Sequence, residues 1–137
     1  SYKKINLLYN FLSIFHPHLF FYNDDIDFCY NLKKNGFEIW YYPVAELIHF
    51  GGLSTKFRKV GSLIEGYRGG LYIAKKHYGH SVYILYRFIL LLDIVPRLIF
   101  HFIFSAFNKQ SEEYVQAYIS VLMINIRGDY KPKYPSR

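Results

Sequence analysis

Residues 20–54 read FFYNDDIDFCYNLKKNGFEIWYYPVAELIHFGGLS, and this stretch decides the fold that we expect for the chain. An acidic cluster opens it, and the residues that follow have apolar side chains every three or four positions, which predicts a helix. Asp24 is the expected N-cap, and Asp27 lies three residues further on, where a capping-box acid belongs. Gly36 supplies the left-handed residue that closes helices. The side expected to face the core holds Ile26, Cys29, Tyr30 and Leu32.

Two short strands are expected after this helix. Residues 37–42 alternate in the two-residue period of a strand, and Pro43 ends the pattern. Residues 47–50 predict a second strand, and the glycine pair after it lets the backbone turn tightly or approach a ligand closely. The predicted class of this part of the chain is therefore mixed α/β.

In this order, the elements resemble the acceptor-side half of family 2 glycosyltransferases, especially the rhamnosyltransferase-like, cell-wall and polysaccharide branch. The resemblance covers residues 15–79. It implies the C-terminal part of a GT-A domain, which is Rossmann-like, over residues 1–80. It also implies a reaction that inverts the anomeric carbon, with a nucleotide-sugar (a UDP- or dTDP-sugar) as donor and a saccharide or lipid-linked sugar as acceptor.

The resemblance assigns roles to individual residues. Asp25 falls on the catalytic base, with Asp24 as its supporting acid, and His49 falls on a ligand of a divalent metal ion, Mg²⁺ or Mn²⁺. The residues expected to bind substrate are Asp27, Trp40, Gly51, Gly52, Ser54, Arg58 and Arg68. A well-placed carboxylate base contributes about 10²- to 10⁴-fold to the rate of such a transfer.

Structural interpretations of the same residues stay open. Acids at a helix N-terminus are commonly only caps, and Asp27 in particular fits a structural role. A single histidine among aromatic residues is often a packed core residue, and His49 has no second ligand at a recognised metal spacing. Cys29 is the only cysteine, so the chain forms no internal disulfide bond.

The most hydrophobic region follows at residues 81–107, where four ionisable residues, Arg87, Asp93, Arg97 and His101, interrupt the apolar run. Each charge near the centre of a bilayer costs about 2.5–3.5 kcal/mol, which argues against a membrane span. We expect amphipathic helices at the membrane interface over residues 81–128, with Asp93 and Arg97 paired one helical turn apart.

The last of these helices is expected between a cap at Ser111 and an end at Gly128, and the basic tail at 129–137 is expected to be disordered. Its core face is expected to hold Val115, Tyr118, Ile119, Leu122, Met123 and Ile126.

Net charge is +7 and the pI is about 9.4, with 21% aromatic residues. We expect no nucleic acid partner, because the aromatic residues follow helix and strand periods and no nucleic-acid-binding motif occurs. An anionic membrane surface is the expected partner, at the cytoplasmic face and in peripheral association.

The 137 residues fall short of the roughly 200 of a GT-A catalytic domain, so we expect a C-terminal portion that is inactive alone. The alternative is a non-catalytic membrane-interface or partner-binding module that keeps the motif as structure.

Overall fold

The computed structural model describes residues 23–44, 46, 48 and 59–130. They form three helices, which we name α1 (Asp24–Lys34), α2 (Lys59–Ser105) and α3 (Lys109–Arg127). Helices account for about 80% of the described residues, and no strand occurs among them. The prediction of a mixed α/β, Rossmann-like GT-A class is therefore wrong for the part of the chain that the structure describes, which is all-α.

The expected strand at residues 37–42 is absent. This segment has no regular secondary structure and its side chains are exposed. Alternating side chains satisfy only half of the requirement for a strand, because the backbone also needs a neighbouring strand for its hydrogen bonds. The described residues supply no such neighbour. Most of the second expected strand, at residues 47–50, lies outside the described residues.

Helix α1 begins differently from the sequence prediction. The N-cap is Asn23 rather than Asp24, and its backbone is left-handed, with φ 68°. Its side chain makes no cap hydrogen bond; instead, Nδ2 donates to the backbone oxygen of Gly66 at 3.2 Å. The start of α1 is thereby attached to α2.

The end of α1 confirms the prediction. Gly36 adopts a left-handed conformation with φ 81°. The Phe37 amide donates to the Leu32 carbonyl at 3.0 Å, and the Gly36 amide donates to the Lys33 carbonyl at 3.1 Å. These two bonds form a Schellman motif, which satisfies the last carbonyls of a helix.

Helix α2 is broken at Gly79, where φ is 83° and ψ is −175°. Residues 59–78 form a first arm and residues 80–105 a second arm. The Tyr67 hydroxyl donates to the Asp93 carboxylate, and Gly70 lies directly against the Tyr86 hydroxyl. Because the earlier residue of the first arm meets the later residue of the second, the arms run antiparallel as a helical hairpin.

Helix α3 completes an antiparallel three-helix bundle. Its C-terminal end meets the start of the second arm, where Arg87 Nε donates to Asn125 Oδ1 at 3.3 Å. Its N-terminal end meets the far end of that arm, where His101 Nδ1 lies 3.5 Å from Ser111 Oγ. The core of the bundle comprises Leu71, Ala74, Tyr83, Leu90, Ile94, Tyr118, Val121 and Ile124.

The face of α3 that packs on the bundle agrees with the predicted one only in part: Tyr118 is in the core and Leu122 packs against it. Its buried residues are Ser111, Ala117, Tyr118, Val121, Ile124 and Asn125, whereas Ile119, Met123 and Ile126 are exposed. The helix is apolar on two sides in its C-terminal half, so helical spacing alone does not select between them. The cap also moves, since Asn108 rather than Ser111 accepts from the Gln110 amide, at 2.9 Å. Gly128 ends the helix with φ 68°, as predicted.

The Gly79 turn yields a stability prediction. Its φ and ψ lie in a region that is essentially restricted to glycine, so Gly79→Ala is expected to lower the free energy of unfolding by about 1–3 kcal/mol. Gly61→Ala is the matched control, because Gly61 is helical and a Cβ there meets nothing within 4 Å. That change should raise stability by about 0.5–1 kcal/mol. Urea unfolding of both variants measures the difference, and equal effects would contradict the assigned turn.

The contact between the arms yields a pH prediction. The Tyr67 hydroxyl, followed by Arg97, holds the pKa of Asp93 below its ordinary value, against the opposing effect of partial burial. A lowered folded-state pKa stabilises the protein above the ordinary aspartate pKa, and that stability is lost as pH falls through the folded value.

Tyr67→Phe should therefore raise the pKa of Asp93 and move acid unfolding to higher pH. The measurements are an NMR titration of the Asp93 carboxyl carbon and acid unfolding followed by circular dichroism. Tyr41→Phe is the control, since that ring is 88% exposed. If the pKa of Asp93 is the same in Tyr67→Phe as in the unchanged protein, Tyr67 does not donate a hydrogen bond to Asp93.

Candidate functional site

The acids in the first turn of α1 occupy two different environments. Asp24 and Asp25 are exposed, and one oxygen of Asp25 accepts from the Ile26 amide at 2.8 Å. Asp27 is only 2% exposed. One turn of helix therefore presents two carboxylates to the surroundings and turns a third inwards.

Asp27 is held by side chains from the end of the first arm. Lys76 Nζ lies 2.7 and 2.8 Å from the two carboxylate oxygens, and His77 Nε2 lies 2.6 Å from Oδ1. Asn31 Nδ2 donates to Oδ2 at 3.3 Å. A buried carboxylate is stable only when it is paired and hydrogen-bonded, and these partners meet that need. The arrangement favours the structural role of Asp27 over a contact with substrate.

This ion-pair cluster, Asp27 with Lys76 and His77, replaces the apolar side expected for α1. Ile26 is 46% exposed, and the Tyr30 ring stacks on the His77 ring with centroids 4.6 Å apart. The buried face of α1 is thus centred on a charge rather than on the predicted apolar residues. The sequence marks the lysines and histidine before Gly79 as basic, but their partner lies 49 and 50 residues away.

A cleft of about 610 Å³ lies at the start of α1. Its described lining is polar and aromatic, and comprises Asn23, Lys59, Ser62, Leu63, Gly66, Tyr67 and Tyr86. Asn23 immediately precedes the exposed acids. Asn23 has a left-handed backbone conformation. Such conformations are uncommon in residues other than glycine and cluster at functional sites. Burial and the hydrogen bond to Asp93 raise the pKa of Tyr67 above its ordinary value.

Two other predicted substrate residues are described. Trp40 is 82% exposed, and its Nε1 donates to Glu38 at 2.9 Å. Arg68 pairs with Glu65 at 2.7 Å. Its Nε is buried, and among the described residues it has no hydrogen-bond partner.

The remaining predicted site residues, which are His49, Gly51, Gly52, Ser54 and Arg58, lie outside the described residues. The described ranges contain no group of three or more His, Cys, Asp and Glu side chains that could hold a metal ion. The carboxylates of Asp24 and Asp25 are oxygen ligands of the kind that Mg²⁺ and Mn²⁺ prefer, but they do not complete a site. Metal binding, with His49 as a ligand, stays a prediction.

The second arm of α2 carries a large exposed apolar surface. Its exposed apolar residues, which we call the outward face, are Val82, Ile84, Leu85, Phe88, Ile89, Leu92, Val95, Ile99, Phe100, Phe102, Ile103 and Phe104. By length and composition, α2 is long and apolar enough to cross a membrane. Only 11% of its most apolar 18-residue segment is buried in the bundle. A helix at the centre of a soluble core would be mostly buried.

Comparisons of the chain with protein-family models, curated proteins and solved structures find no match. The functional interpretation therefore depends on the side chains and surfaces described above.

The ion-pair cluster yields a prediction that separates the three acids. Asp27→Asn leaves Lys76 without its buried counter-charge and His77 without its carboxylate partner, and is expected to lower the free energy of unfolding by about 3 kcal/mol. Asp24→Asn is the matched control, because both changes remove one negative charge from the first turn of α1, and it should cost less than about 1 kcal/mol. Denaturant unfolding compares them. Equal losses would mean that Asp27 acts only on the helix dipole.

Proposed function

We propose that the chain supplies the acceptor-side carboxylates of an inverting glycosyltransferase in cell-surface polysaccharide synthesis. The donor is a UDP- or dTDP-sugar and the acceptor is a saccharide or a lipid-linked sugar. The observation that carries the proposal is the division within the first turn of α1, where Asp24 and Asp25 are exposed and Asp27 is locked to Lys76 and His77. A base must be both accessible and held in place, and this turn combines the two properties.

Asp25 acts as the general base of the proposed reaction. The acceptor hydroxyl attacks the anomeric carbon of the donor from the face opposite the nucleoside diphosphate, and its proton passes to the Asp25 carboxylate. The bond between the sugar and the diphosphate breaks in the same displacement, so the configuration inverts. Asp24, the neighbouring exposed acid, orients the acceptor.

The cleft lined by Asn23, the residue before these acids, supports the proposal. Tyr67 and Tyr86 bring aromatic rings to it, and Asn23 and Ser62 bring polar groups. Pockets that combine such surfaces with a few polar groups bind small molecules and fix their orientation. A sugar ring presents both apolar C–H groups and hydroxyl groups, so it matches this lining. A bound divalent ion, held by His49 as the resemblance implies, would stabilise the charge on the leaving diphosphate.

Action at the cytoplasmic face of a membrane, in peripheral association, is part of the proposal. The net charge of +7 and the outward face of the second arm support it. The same outward face favours a second candidate function, a non-catalytic membrane-interface or partner-binding module. Both candidates bind membranes, so turnover of the nucleotide-sugar is the observation that separates them.

Asp25→Asn tests the proposal in the complete gene product. We expect kcat to fall by about 10²- to 10⁴-fold, because the amide cannot accept the acceptor proton, while KM for the donor stays unchanged. The assay measures the release of UDP or dTDP in membranes that contain lipid-linked acceptors. Glu113→Gln is the control, since Glu113 is also an exposed acid.

Two results would count against the proposal. Near-normal turnover in Asp25→Asn would remove Asp25 from the role of base. If the unchanged protein turns over neither nucleotide-sugar, the non-catalytic module is the better interpretation.

A further inference from the structure

We infer that the second arm of α2 lies in the plane of a membrane, with its outward face in the acyl chains and the first arm and α1 on the water side. The occupant of the outward face is a lipid bilayer with anionic headgroups. This inference concerns how the chain is seated on the membrane, and it holds whether or not the chain transfers sugars.

The polarity of the second arm is inverted relative to a helix on the surface of a soluble protein. The outward face is formed by twelve apolar side chains, and the exposed charge next to it, Arg97, is paired with Asp93 one turn earlier. Other polar residues of the arm bond to groups of the bundle. Arg87 donates to the backbone oxygen of Ile126 at 3.0 Å, Asp93 accepts from Tyr67, and His101 contacts Ser111. In water a helix turns its charged side outwards, so the medium that meets this arm is apolar.

The shape of the outward face fits a bilayer better than a protein partner. From Val82 to Phe104 it extends over about 33 Å at 1.5 Å per residue. At 100° per residue its positions cover about half of the circumference of the helix. In a surface helix of a soluble protein the apolar stripe faces the core, whereas these residues face away from it. A helix that lies in the interface plane with its apolar face buried presents such a half-cylinder to the acyl chains.

The charges of the first arm indicate that the second arm lies in the plane of the membrane and does not span it. It packs along the second arm through Tyr67 and Gly70, so a spanning second arm would take it into the hydrocarbon. The charged residues of the first arm are Lys59, Glu65, Arg68, Lys75 and Lys76. Each would cost about 2.5–3.5 kcal/mol at the bilayer centre. An in-plane arrangement leaves all of them in water.

The distribution of cations favours anionic lipid. Lys75, whose Nζ lies 2.9 Å from His80 Nδ1, is at the hairpin turn next to the start of the outward face. The C-terminal end of α1 adds Lys33 and Lys34 at this end of the bundle, because Tyr30 contacts Tyr78 there. Basic residues near an anionic surface contribute about 1 kcal/mol each. Headgroup attraction and burial of the outward face therefore act together.

Depth measurements with single tryptophans test the inference on the full chain. Trp40, the only tryptophan, is 82% exposed and is replaced in a Trp40→Phe background. Leu85→Trp, Leu92→Trp and Ile99→Trp then report from one side of the helix at seven-residue intervals, which is about 21 Å overall. The vesicles contain equal amounts of phosphatidylcholine and phosphatidylglycerol, with chains brominated at a shallow or a deep carbon. Gln116→Trp, on the exposed polar side of α3, is the control.

We expect the three tryptophans of the outward face to be quenched at one shallow depth, and the tryptophan at position 116 to remain unquenched. A depth that changes steadily from 85 to 99 would show a spanning helix and overturn the inference. Unquenched tryptophans, with a mass in solution that doubles with concentration, would overturn it in favour of a second copy of the chain on this face. Unquenched tryptophans in a monomer would also overturn it.

A charge-matched pair of variants provides a second measurement. Leu92→Glu places a carboxylate in the outward face and should weaken binding to these vesicles by at least about tenfold. Gln116→Glu adds the same charge on the polar side of α3 and should change binding by less than about twofold. Equal effects would mean that binding is only electrostatic and would overturn the insertion of the outward face. The donor-turnover assay is independent of both measurements, so the two proposals can fail separately.

Discussion

The described fold depends on one backbone conformation, that of Gly79. With φ 83° and ψ −175°, this residue occupies a region that side chains exclude, and it reverses α2 into two antiparallel arms. The hydrophobic core forms only because the reversal brings Leu71 and Ala74 to Leu90 and Ile94, with α3 closing the bundle. The same turn ends the first arm just after Lys76 and His77, which hold α1. One glycine therefore positions both the core and the candidate site.

The buried Asp27 carboxylate attaches the first turn of α1 to the end of the first arm. Charged groups are rarely buried without partners, because the loss of hydration costs several kcal/mol per ion. Asp27 is accordingly bonded by Lys76, His77 and Asn31. Asp27 is buried and anchors the helix, while Asp24 and Asp25 stay exposed directly after Asn23, which lines the cleft. A motif of three acids thus combines one attachment point with two groups that are available for chemistry.

The second arm bonds to the bundle through several polar residues and exposes an apolar face, and this links the two proposals. Its charges argue in sequence only against a membrane. In the structure, Arg87 and Asp93 bond to neighbouring helical segments and Arg97 pairs with Asp93, while the first arm carries the charges that exclude spanning. If the outward face lies in the acyl chains, α1 is on the water side. A lipid-linked acceptor would then present its sugar on the side where Asp25 is exposed.

Features that depend on neighbours within about five residues were predictable from the sequence. They include the helix after the acidic cluster, its end at Gly36, the Asp93–Arg97 pair at 2.7 Å and the end of α3 at Gly128. Features that depend on distant partners were not. The strand at 37–42 needed a neighbour that the described residues lack, and the buried face of α3 was chosen by the hairpin. The bonding partners of Asp27, Lys76 and His77, lie 49 and 50 residues away. Spacing along the chain determined the glycine helix ends and the i,i+4 pair, but not the N-caps, which are Asn23 and Asn108 rather than Asp24 and Ser111. Only the tertiary structure decides which side of a helix is buried and which acid is left exposed.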